Sequence, residues 1–263
     1  MLAMKQNAGY VNADDPKPTA SVDEAGKQRS YQLMHLKTGQ RVLDVGCGAA
    51  TDTLALGLLV GSGGRVIGVD DDPELITLAM RQAEQAGLSA WVAHELADAL
   101  ALPYEDNSFD AARSERLFEH VSAPKKALDE MIRVTKPGGR VVVSDTDWTS
   151  PSIGLTDTNI EWQLRKVKAQ QAGINGTSGR QLYRLFRQTG LENVTCEFVP
   201  LYLTRYDQMR LVFDMDQAER TMLSQGMVTY EELDVWNEVL QEADADGTFF
   251  ACVMGVIVAG SKP

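Results

Sequence analysis

The residues best suited to chemistry lie in a glycine-rich segment, Val42-Leu-Asp-Val-Gly-Cys-Gly-Ala-Ala50. The apolar run before Gly46 predicts a buried strand, and the apolar run after Ala50 predicts a helix. Gly46 and Gly48 let a ligand approach the backbone, and the helix N-terminus offers free N–H donors. Asp44 at the strand tip would repel a pyrophosphate and attract a cation. These residues predict a ligand-binding loop that favours a cationic ligand.

A second acid closes the next predicted strand, VIGVD, which ends at Asp70. Asp70 follows the loop by about 20 residues, a spacing that suits a carboxylate accepting both hydroxyls of a ribose. The phosphate-loop pattern ending in Gly-Lys-Ser/Thr is absent, and Thr51 stands where a dinucleotide loop has its third glycine or alanine. The structural alternatives are a solvated strand-end acid at Asp70 and a loop-supporting acid at Asp44.

Four segments resemble, in order and spacing, the motifs of class I S-adenosylmethionine-dependent methyltransferases: VLDVGCG, VIGVDDD, LADALALPYEDNSFD and LDEMIRVTKPGGRVVVSDTDW. The resemblance covers about residues 40–147, and the set of four motifs is specific where each alone is not. Within that superfamily the chain looks most similar to ubiquinone/menaquinone-type and natural-product methyltransferases of small molecules. The resemblance implies S-adenosylmethionine as cofactor and S-adenosylhomocysteine as product.

The resemblance also implies roles at the methionine and ribose end of the cofactor. Gly46 and Gly48 would pass under the methionine part, and Asp44 would orient the loop and face the amino group. Ser114 would offer its backbone carbonyl to the same ammonium. Asp70 would hold the ribose hydroxyls.

At the adenine end, the resemblance implies that Asp71 flanks the ring and that Asp98 accepts from the adenine amino group. The backbone N–H of Ala99 would meet a ring nitrogen. The departures from the family pattern are Ala50 at the third glycine-like position and the tract Arg113-Ser-Glu-Arg116.

That tract narrows the substrate class. It lacks the Asn/Asp-Pro-Pro-aromatic tetrad of amino-group DNA methyltransferases, and no cysteine lies between Cys47 and Cys196 to serve a cytosine-C5 enzyme. The paired-glutamate loop of protein arginine methyltransferases is not apparent, since only Glu115 and Glu119 occur there. A small, flat or partly apolar acceptor at carbon, oxygen or nitrogen is therefore expected.

His120 is the candidate general base. Methyl transfer from a sulfonium is an in-line displacement that positioning can accelerate, and a base is needed only when the acceptor must lose a proton. His120 is the histidine expected near the carboxyl ends of the fourth and fifth strands, in an apparently helical stretch, LFEHV. The alternative is a helix-end side chain without a chemical role.

Four further residues are candidates for substrate binding: Tyr10, Arg29, Trp148 and Arg180. Tyr10 and Arg29 belong to the N-terminal segment, which covers the cofactor in the resembling family. Trp148 could stack on a flat substrate, and Arg180 could pair with a carboxylate or phenolate. Surface placement, lid packing and a pair with a nearby acid such as Asp157 are the respective alternatives.

The elements that must position these residues form an α/β pattern. Apolar runs predict strands at 41–45, 65–69, 90–95, 109–112, 140–144, 192–199 and 248–258, with helices between them. Capping signals at Asp72, Ser178 and Thr229 mark three helix starts. We expect a doubly wound, mostly parallel seven-stranded sheet of Rossmann-like type, with helices on both faces and helical lid insertions.

The predicted organisation has six parts. They are an N-terminal arm and lid helix (1–39), a cofactor-binding core (40–148), a lid insertion (149–178), a core helix and strand (179–204), a second helical insertion (205–246) and the last core strand (247–263).

Composition limits the partners. The 263 residues are 44% hydrophobic, enough for a sizeable core, and the net charge of −12 would repel nucleic acid and anionic membranes. The three separated cysteines and the polar N-terminus favour a reduced, cytoplasmic protein. No metal site is indicated, and the oligomeric state stays open.

Two other functions stay open at this stage. One is a cofactor-binding fold without methyl transfer, acting as a cyclase or a sensing module. The other is a NAD(P)-dependent reductase, which Asp70 would suit but Asp44 and Thr51 disfavour.

Overall fold

The structure is a computed structural model that describes residues 20–154, 158–171 and 175–263. Seven strands in this part of the chain form one sheet: Arg41–Val45 (β1), Arg65–Asp70 (β2), Val92–Leu96 (β3), Phe109–Glu115 (β4), Thr135–Ile153 (β5), Glu192–Leu203 (β6) and Ala251–Ser261 (β7). Their order is β3-β2-β1-β4-β5-β7-β6. The pairs among β1 to β5 are parallel, and β7 runs antiparallel to both of its neighbours. The predicted doubly wound, mostly parallel sheet is confirmed.

The chain reverses its direction of travel across the sheet beside β1. β1 pairs with β2 on one side and with β4 on the other, so the connection after β3 crosses back over the sheet. Ligands of doubly wound sheets bind outside the carboxyl ends of the strands at such a reversal. The segments that follow β1, β2 and β4 therefore line the expected ligand-binding crevice.

The helices in the described residues are Ala20–Leu33 (α1), Thr51–Val60 (α2), Pro73–Gln85 (α3), Pro124–Val134 (α4), Thr158–Gln171 (α5), Ser178–Arg187 (α6), Tyr206–Val212 (α7), Met215–Ser224 (α8) and Tyr230–Ala245 (α9). Tyr31, Leu56 and Ala83, from α1, α2 and α3, share the core on one face of the sheet. Leu128 and Phe186, from α4 and α6, belong to the core on the other face. Helices thus cover both faces.

A third core lies around the part of β5 that extends past Ser144. It joins α5, α7, α8 and α9 to the outer parts of β5, β6 and β7, and includes Leu164, Met209, Met222 and Trp236. These four helices fall within the two predicted insertions. In the second insertion, α7 and α8 are two separate helices and not one continuous helix, because Asp214 adopts a left-handed backbone (φ 45°) between them.

Strand β5 is much longer than the predicted 140–144. It continues to Ile153 because antiparallel β7 supplies pairing partners past Ser144, with an irregularity between Asp147 and Ser152. Parallel neighbour β4 pairs only as far as Ser144. The extension projects past the end of β4, and its last residue, Ile153, belongs to the third core.

Two of the three predicted helix caps are confirmed and one is wrong. Asp72 caps α3 through the N–H groups of Glu74 and Leu75, and Thr229 forms a complete capping box at α9. The capping box predicted at Ser178 is wrong, because Ser178 is already helical and the preceding Thr177 makes no side-chain cap bond. Among the described residues, no helix is long and apolar enough to cross a membrane.

Candidate functional site

The loop after β1 has the conformation that its glycines allow. Gly46 (φ 77°), Gly48 (φ 51°) and Ala50 (φ 76°) all have left-handed backbones. The N–H groups of Gly46 and Cys47 both donate to the carbonyl of Val69, at 2.8 and 2.9 Å. The loop is thereby fastened to the end of β2, and only a residue without a Cβ avoids strain at the two glycines.

Asp70 joins the end of β2 to the same loop. Its Oδ2 accepts from the Gly48 N–H at 2.9 Å, and its Oδ1 accepts from the Asp72 N–H at 3.1 Å. Burial raises the pKa of Asp70, while these backbone donors oppose the shift. The Asp70 carbonyl also accepts from the Ala97 N–H, at 3.0 Å, which places the segment after β3 beside it.

The predicted adenine-end residues flank this point. Asp71 and Asp98 are exposed and Ala99 is buried. Asp98 Oδ1 accepts from the N–H of Leu100 at 2.8 Å, so its carboxylate is held locally by its own turn. The structure brings these residues to the same edge of the sheet as Asp70.

Asp44 is buried directly beneath the loop. Its Oδ1 lies 3.4 Å from Arg113 Nη1, whereas its Oδ2 has no hydrogen-bond partner among the described residues. Burial raises the pKa of Asp44 to about 7, against the opposing charge of Arg113. Ser114, on β4 opposite Val45, is also buried with an unpartnered Oγ in this part of the chain. Unpartnered buried acceptors of this kind call for an explanation.

Arg113 is a site residue that the sequence did not predict. It is a fully buried cation (0% exposed) on a central strand. Its Nη1 lies 3.3 Å from Asp52 Oδ2, its Nη2 donates to Glu115, and its Nε donates to Ser30 Oγ at 3.0 Å. The guanidinium therefore links β4 to both α1 and α2. Sequence reasoning noted Arg113 only as a departure; the available signal was a charge inside an apolar strand.

The same cluster fastens α1 to α2. Lys27 Nζ donates to both oxygens of Asp52, at 2.9 and 3.0 Å, and the Tyr31 hydroxyl donates to Asp52 as well. Although burial opposes it, the charges of Arg113 and Lys27 lower the pKa of Asp52. The N-terminal helix is therefore part of the wall around the loop.

A second buried pair, Thr53 and His94, lies at the start of α2. Thr53 Oγ1 donates to the Ala50 carbonyl at 3.0 Å and lies 2.8 Å from His94 Nε2. Burial lowers the pKa of His94 to about 4. Sequence reasoning did not single out either residue.

Leu117 packs against the loop at Gly46. A Cβ placed on Gly46 would lie 3.1 Å from both Cβ and Cδ1 of Leu117. Leu117 follows Arg116, whose backbone is left-handed (φ 50°), in the turn after β4. A ligand that approached Gly46 from the side where a Cβ would lie would therefore meet Leu117.

His120 lies in this same turn, so the predicted helical stretch around it is wrong. Its side chain is 39% exposed, and its Nε2 is 3.3 Å from Glu119 Oε1. Glu119 is buried and accepts from the indole N–H of Trp148. The backbone N–H of Glu119 donates to Asp145 Oδ2 at 2.9 Å. One histidine and two carboxyl groups thus meet after the carboxyl end of β4, beside the point where β5 passes Ser144.

Burial, and then the nearby charge of Glu119, raise the pKa of Asp145 well above its ordinary range. Trp148 is half-buried and packs edge-on against Phe213 of the third core, 6.4 Å between ring centroids. It therefore separates Glu119 from the helical insertions. A carboxyl group with a perturbed pKa, as Asp145 has here, is typical of functional sites.

The two predicted arginines are ion-paired. Arg180 Nε donates to Asp147 Oδ2 at 2.6 Å, so its partner is an acid of β5. Arg29 on α1 pairs with Glu197 on the edge strand β6 through two bonds of 2.6 Å. Arg180 therefore lies beside β5, and Arg29 is paired with a strand that is four positions from β1 in the sheet. Tyr10 lies outside the described residues. No group of metal-ligating side chains occurs in the described ranges.

Comparison with known proteins defines the class. Residues 36–190 match the family model described as a methyltransferase domain. The chain is 34% identical over 247 residues to an uncharacterized 37.1 kDa protein in a transposon of Streptomyces fradiae, covering 93% of this chain and 70% of that protein. It is also 35% identical over 123 residues to demethylmenaquinone methyltransferase of Bacillus mycoides, covering 47% of this chain and 52% of the relative.

The fold has relatives among solved structures. The YcgJ protein of Bacillus subtilis superposes with a TM-score of 0.65 at 21% identity, covering 91% of this chain and 98% of that one. The chain belongs to the family of class I S-adenosylmethionine-dependent methyltransferases. It spans about half the length of the curated methyltransferases that it matches.

The residues present fit the cofactor of that family. Asp44 Oδ2 is a buried acceptor without a donor among the described residues, and an ammonium group is a suitable donor for it. Asp70 is fixed at the strand end where a ribose would be held. A ligand on the Cβ side of Gly46 would have to displace the side chain of Leu117.

Proposed function

We propose that this chain transfers a methyl group from S-adenosylmethionine to a small-molecule acceptor bound after the carboxyl end of β4, beside the extension of β5 past Ser144. The observation that carries the proposal is the unpartnered, buried Oδ2 of Asp44 beneath a loop that Asp70 fastens at Gly48. A phosphate loop would not place a buried carboxylate at this point, whereas a cationic nucleoside benefits from it.

In this proposal, Asp44 accepts from the cofactor's ammonium, with the Ser114 carbonyl as a second acceptor. Gly46 and Gly48 lie under the methionine part, and Asp70 accepts from the ribose hydroxyls. When bound, S-adenosylmethionine supplies a methyl group on a sulfonium, which is already an activated leaving group.

The adenine end of the proposed site consists of Asp71, Asp98 and the backbone N–H of Ala99. Asp71 and Asp98 are exposed, which leaves their carboxylates accessible to a ligand at the sheet edge. The half-buried Trp148 and the turn around His120 would form the acceptor's side of the crevice.

The chain's own residues would then position the acceptor and exclude water. Orientation of two reactants can supply about 7–11 kcal/mol of a barrier in favourable intramolecular models. If the acceptor must lose a proton, the exposed His120 is placed to receive it, with Glu119 Oε1 3.3 Å from its Nε2 to orient the ring. Trp148 and Arg180 are proposed to contact the acceptor, and the two helical insertions to act as lids.

The acidic surface supports a small acceptor rather than a macromolecular one. A net charge of −12 opposes association with phosphate backbones and with anionic membranes. We therefore propose a small-molecule substrate and no nucleic-acid partner.

Thermal unfolding in the presence of S-adenosylhomocysteine and of NAD tests the cofactor. We expect a higher melting temperature with S-adenosylhomocysteine only, since a ligand stabilises the state that binds it. A shift with NAD alone would refute the proposal.

Mass spectrometry of candidate acceptors incubated with enzyme and S-adenosylmethionine tests the reaction itself. A product heavier by one methylene unit is expected. A product of unchanged mass but altered structure would show cofactor binding without methyl transfer.

A further inference from the structure

Lys168 is a buried cation that the proposed function does not use. It lies on α5 and is only 6% exposed, and its Nζ sits 4.8 Å from the centroid of the Trp148 ring. No carboxylate in the described residues lies within 4 Å of this amine, and no hydrogen bond from it is formed there. Lysine is almost never buried to this extent without a paired charge.

The surroundings of Lys168 come from four different elements. Trp148 belongs to the extension of β5, and Phe213, at the end of α7, packs edge-on against the same indole. The carboxylates of Asp214 and Glu119 act on the amine from the α7–α8 junction and from the turn after β4. Burial nevertheless lowers the pKa of Lys168 against both of them. The amine thus lies where the helical insertions meet the carboxyl edge of the sheet.

Glu119, one of the two carboxylates that act on the amine, accepts from the indole of Trp148, and Asp147, next to Trp148 in the chain, accepts from Arg180. Asp214 acts on the amine through its charge, without an ion pair to it in the described residues. Arg180 is therefore neutralised by a carboxylate at 2.6 Å. In the described part of the chain, the direct contact of the Lys168 amine is the π-face of the Trp148 indole, and Asp214 and Glu119 act on it from a greater distance. A cation–π contact contributes about 0.5–2 kcal/mol, less than the several kcal/mol that burial of an ammonium costs. An anionic oxygen would offset the remainder.

We propose that Lys168 is the anion-binding residue of the acceptor pocket, and that the acceptor is a small molecule carrying a carboxylate or a phenolate. The ammonium would bind that oxygen beside the Trp148 indole, at the junction of α5 with the β5 extension. This inference rests on the proposed methyl transfer, because it names the class of molecule that reacts there. It also accounts for a lysine in the interior of a largely apolar insertion.

The test measures binding of a panel of aromatic and short aliphatic acids and phenols, each paired with its amide or methyl ether. Titrations by calorimetry or ligand-observed NMR are made with S-adenosylhomocysteine present and absent. We expect at least one acid or phenol to bind about tenfold or more tightly than its neutral counterpart, the size of a hydrogen bond to a charged group. Lys168→Gln should lose this preference, and Lys168→Arg should keep most of it.

The matched control is Lys166→Gln. Lys166 lies on the same helix with its Nζ 5.5 Å from the ring of Trp162, but that tryptophan is exposed. We expect the control to bind every member of the panel like the wild type. Lys168→Met serves as a second variant if Lys168→Gln does not fold, and both should keep wild-type affinity for S-adenosylhomocysteine.

Three results would overturn the inference. They are the absence of any preference for the charged members of the panel, equal effects of Lys168→Gln and Lys166→Gln, and equal losses of acid and neutral counterpart in Lys168→Gln. Failure of the wild type to bind S-adenosylhomocysteine would instead refute the proposed function, and the titrations made without it would still decide the role of Lys168.

Discussion

The backbone N–H of Gly48 donates a 2.9 Å hydrogen bond to Oδ2 of Asp70, so the loop after β1 is held by the acid that ends β2. One carboxylate therefore has two tasks in the proposed site: it fixes the loop, and its remaining lone pairs face the ribose. We expect Asp70→Ala to weaken S-adenosylhomocysteine binding by about 10- to 150-fold, the range for a hydrogen bond to a charged group.

Asp70→Ala should also lower the free energy of unfolding by about 1–3 kcal/mol, because the buried Gly48 N–H loses its acceptor. Calorimetry measures the affinity and urea titration the stability. Asp129→Ala, which removes an exposed acid paired with Lys125, should change neither. Wild-type affinity in Asp70→Ala would show that the ribose lies elsewhere.

Replacement of Arg113 by leucine should lower the free energy of unfolding by about 3–5 kcal/mol. Removal of one member of a buried ion cluster leaves its partners uncompensated, here Asp44, Asp52 and Glu115. Urea denaturation gives the value. Arg205→Leu is the control, since Arg205 pairs with Asp207 on the surface and should contribute less than about 1 kcal/mol. Equal stabilities of the two variants would contradict the central role of Arg113.

Leu117→Ala should bind S-adenosylhomocysteine about 3- to 10-fold more tightly than the wild type. The half-buried Leu117 lies against Gly46, and moving it aside costs about 1 kcal/mol of apolar burial, which the variant avoids. Isothermal titration provides the affinities. Leu58→Ala, on the exposed face of α2, is expected to behave as the wild type. Weaker binding in Leu117→Ala would mean that Leu117 contacts the cofactor rather than excludes it.

The stability of the protein should fall as the pH is lowered from about 6.5 towards 4. Unfolded His94 takes up a proton near its ordinary pKa of about 6.5, whereas folded His94 does so only near 4. The unfolded state thus binds more protons in this window, which destabilises the fold by up to about 3 kcal/mol. Urea titrations at several pH values should show a smaller decline in His94→Gln. His35→Gln removes an exposed histidine and should keep the wild-type slope.

His120→Ala should reduce turnover by about 10²- to 10⁴-fold with an acceptor that must lose a proton. The affinity for S-adenosylhomocysteine should stay near the wild-type value. Glu119→Gln should also lower turnover with such an acceptor, because Glu119 Oε1 lies 3.3 Å from His120 Nε2 and is placed to orient the ring. Steady-state kinetics across pH measure both variants. Turnover of His120→Ala within twofold of the wild type would remove His120 from the mechanism.

The fold followed from the sequence because its signals are local. Apolar runs gave β1 and β2 nearly to the residue, and Asp72 with Pro73 marked the start of α3. The length of β5 could not be predicted from local patterns, because it depends on strand pairing. β5 extends to Ile153 because β7 lies antiparallel beside it. The break between α7 and α8 likewise depends on the left-handed backbone of Asp214.

By itself, the sequence determined the class of sheet, the glycine loop and the acids that end β1 and β2, because strand ends and glycine conformations are set by neighbouring residues. Only the tertiary structure decided what surrounds them. Arg113 meets Ser30 and Asp52, and Lys168 meets Trp148, across long separations in the chain. Whether a charge is buried, and against which partner, depends on packing between distant segments, and no local pattern encodes it.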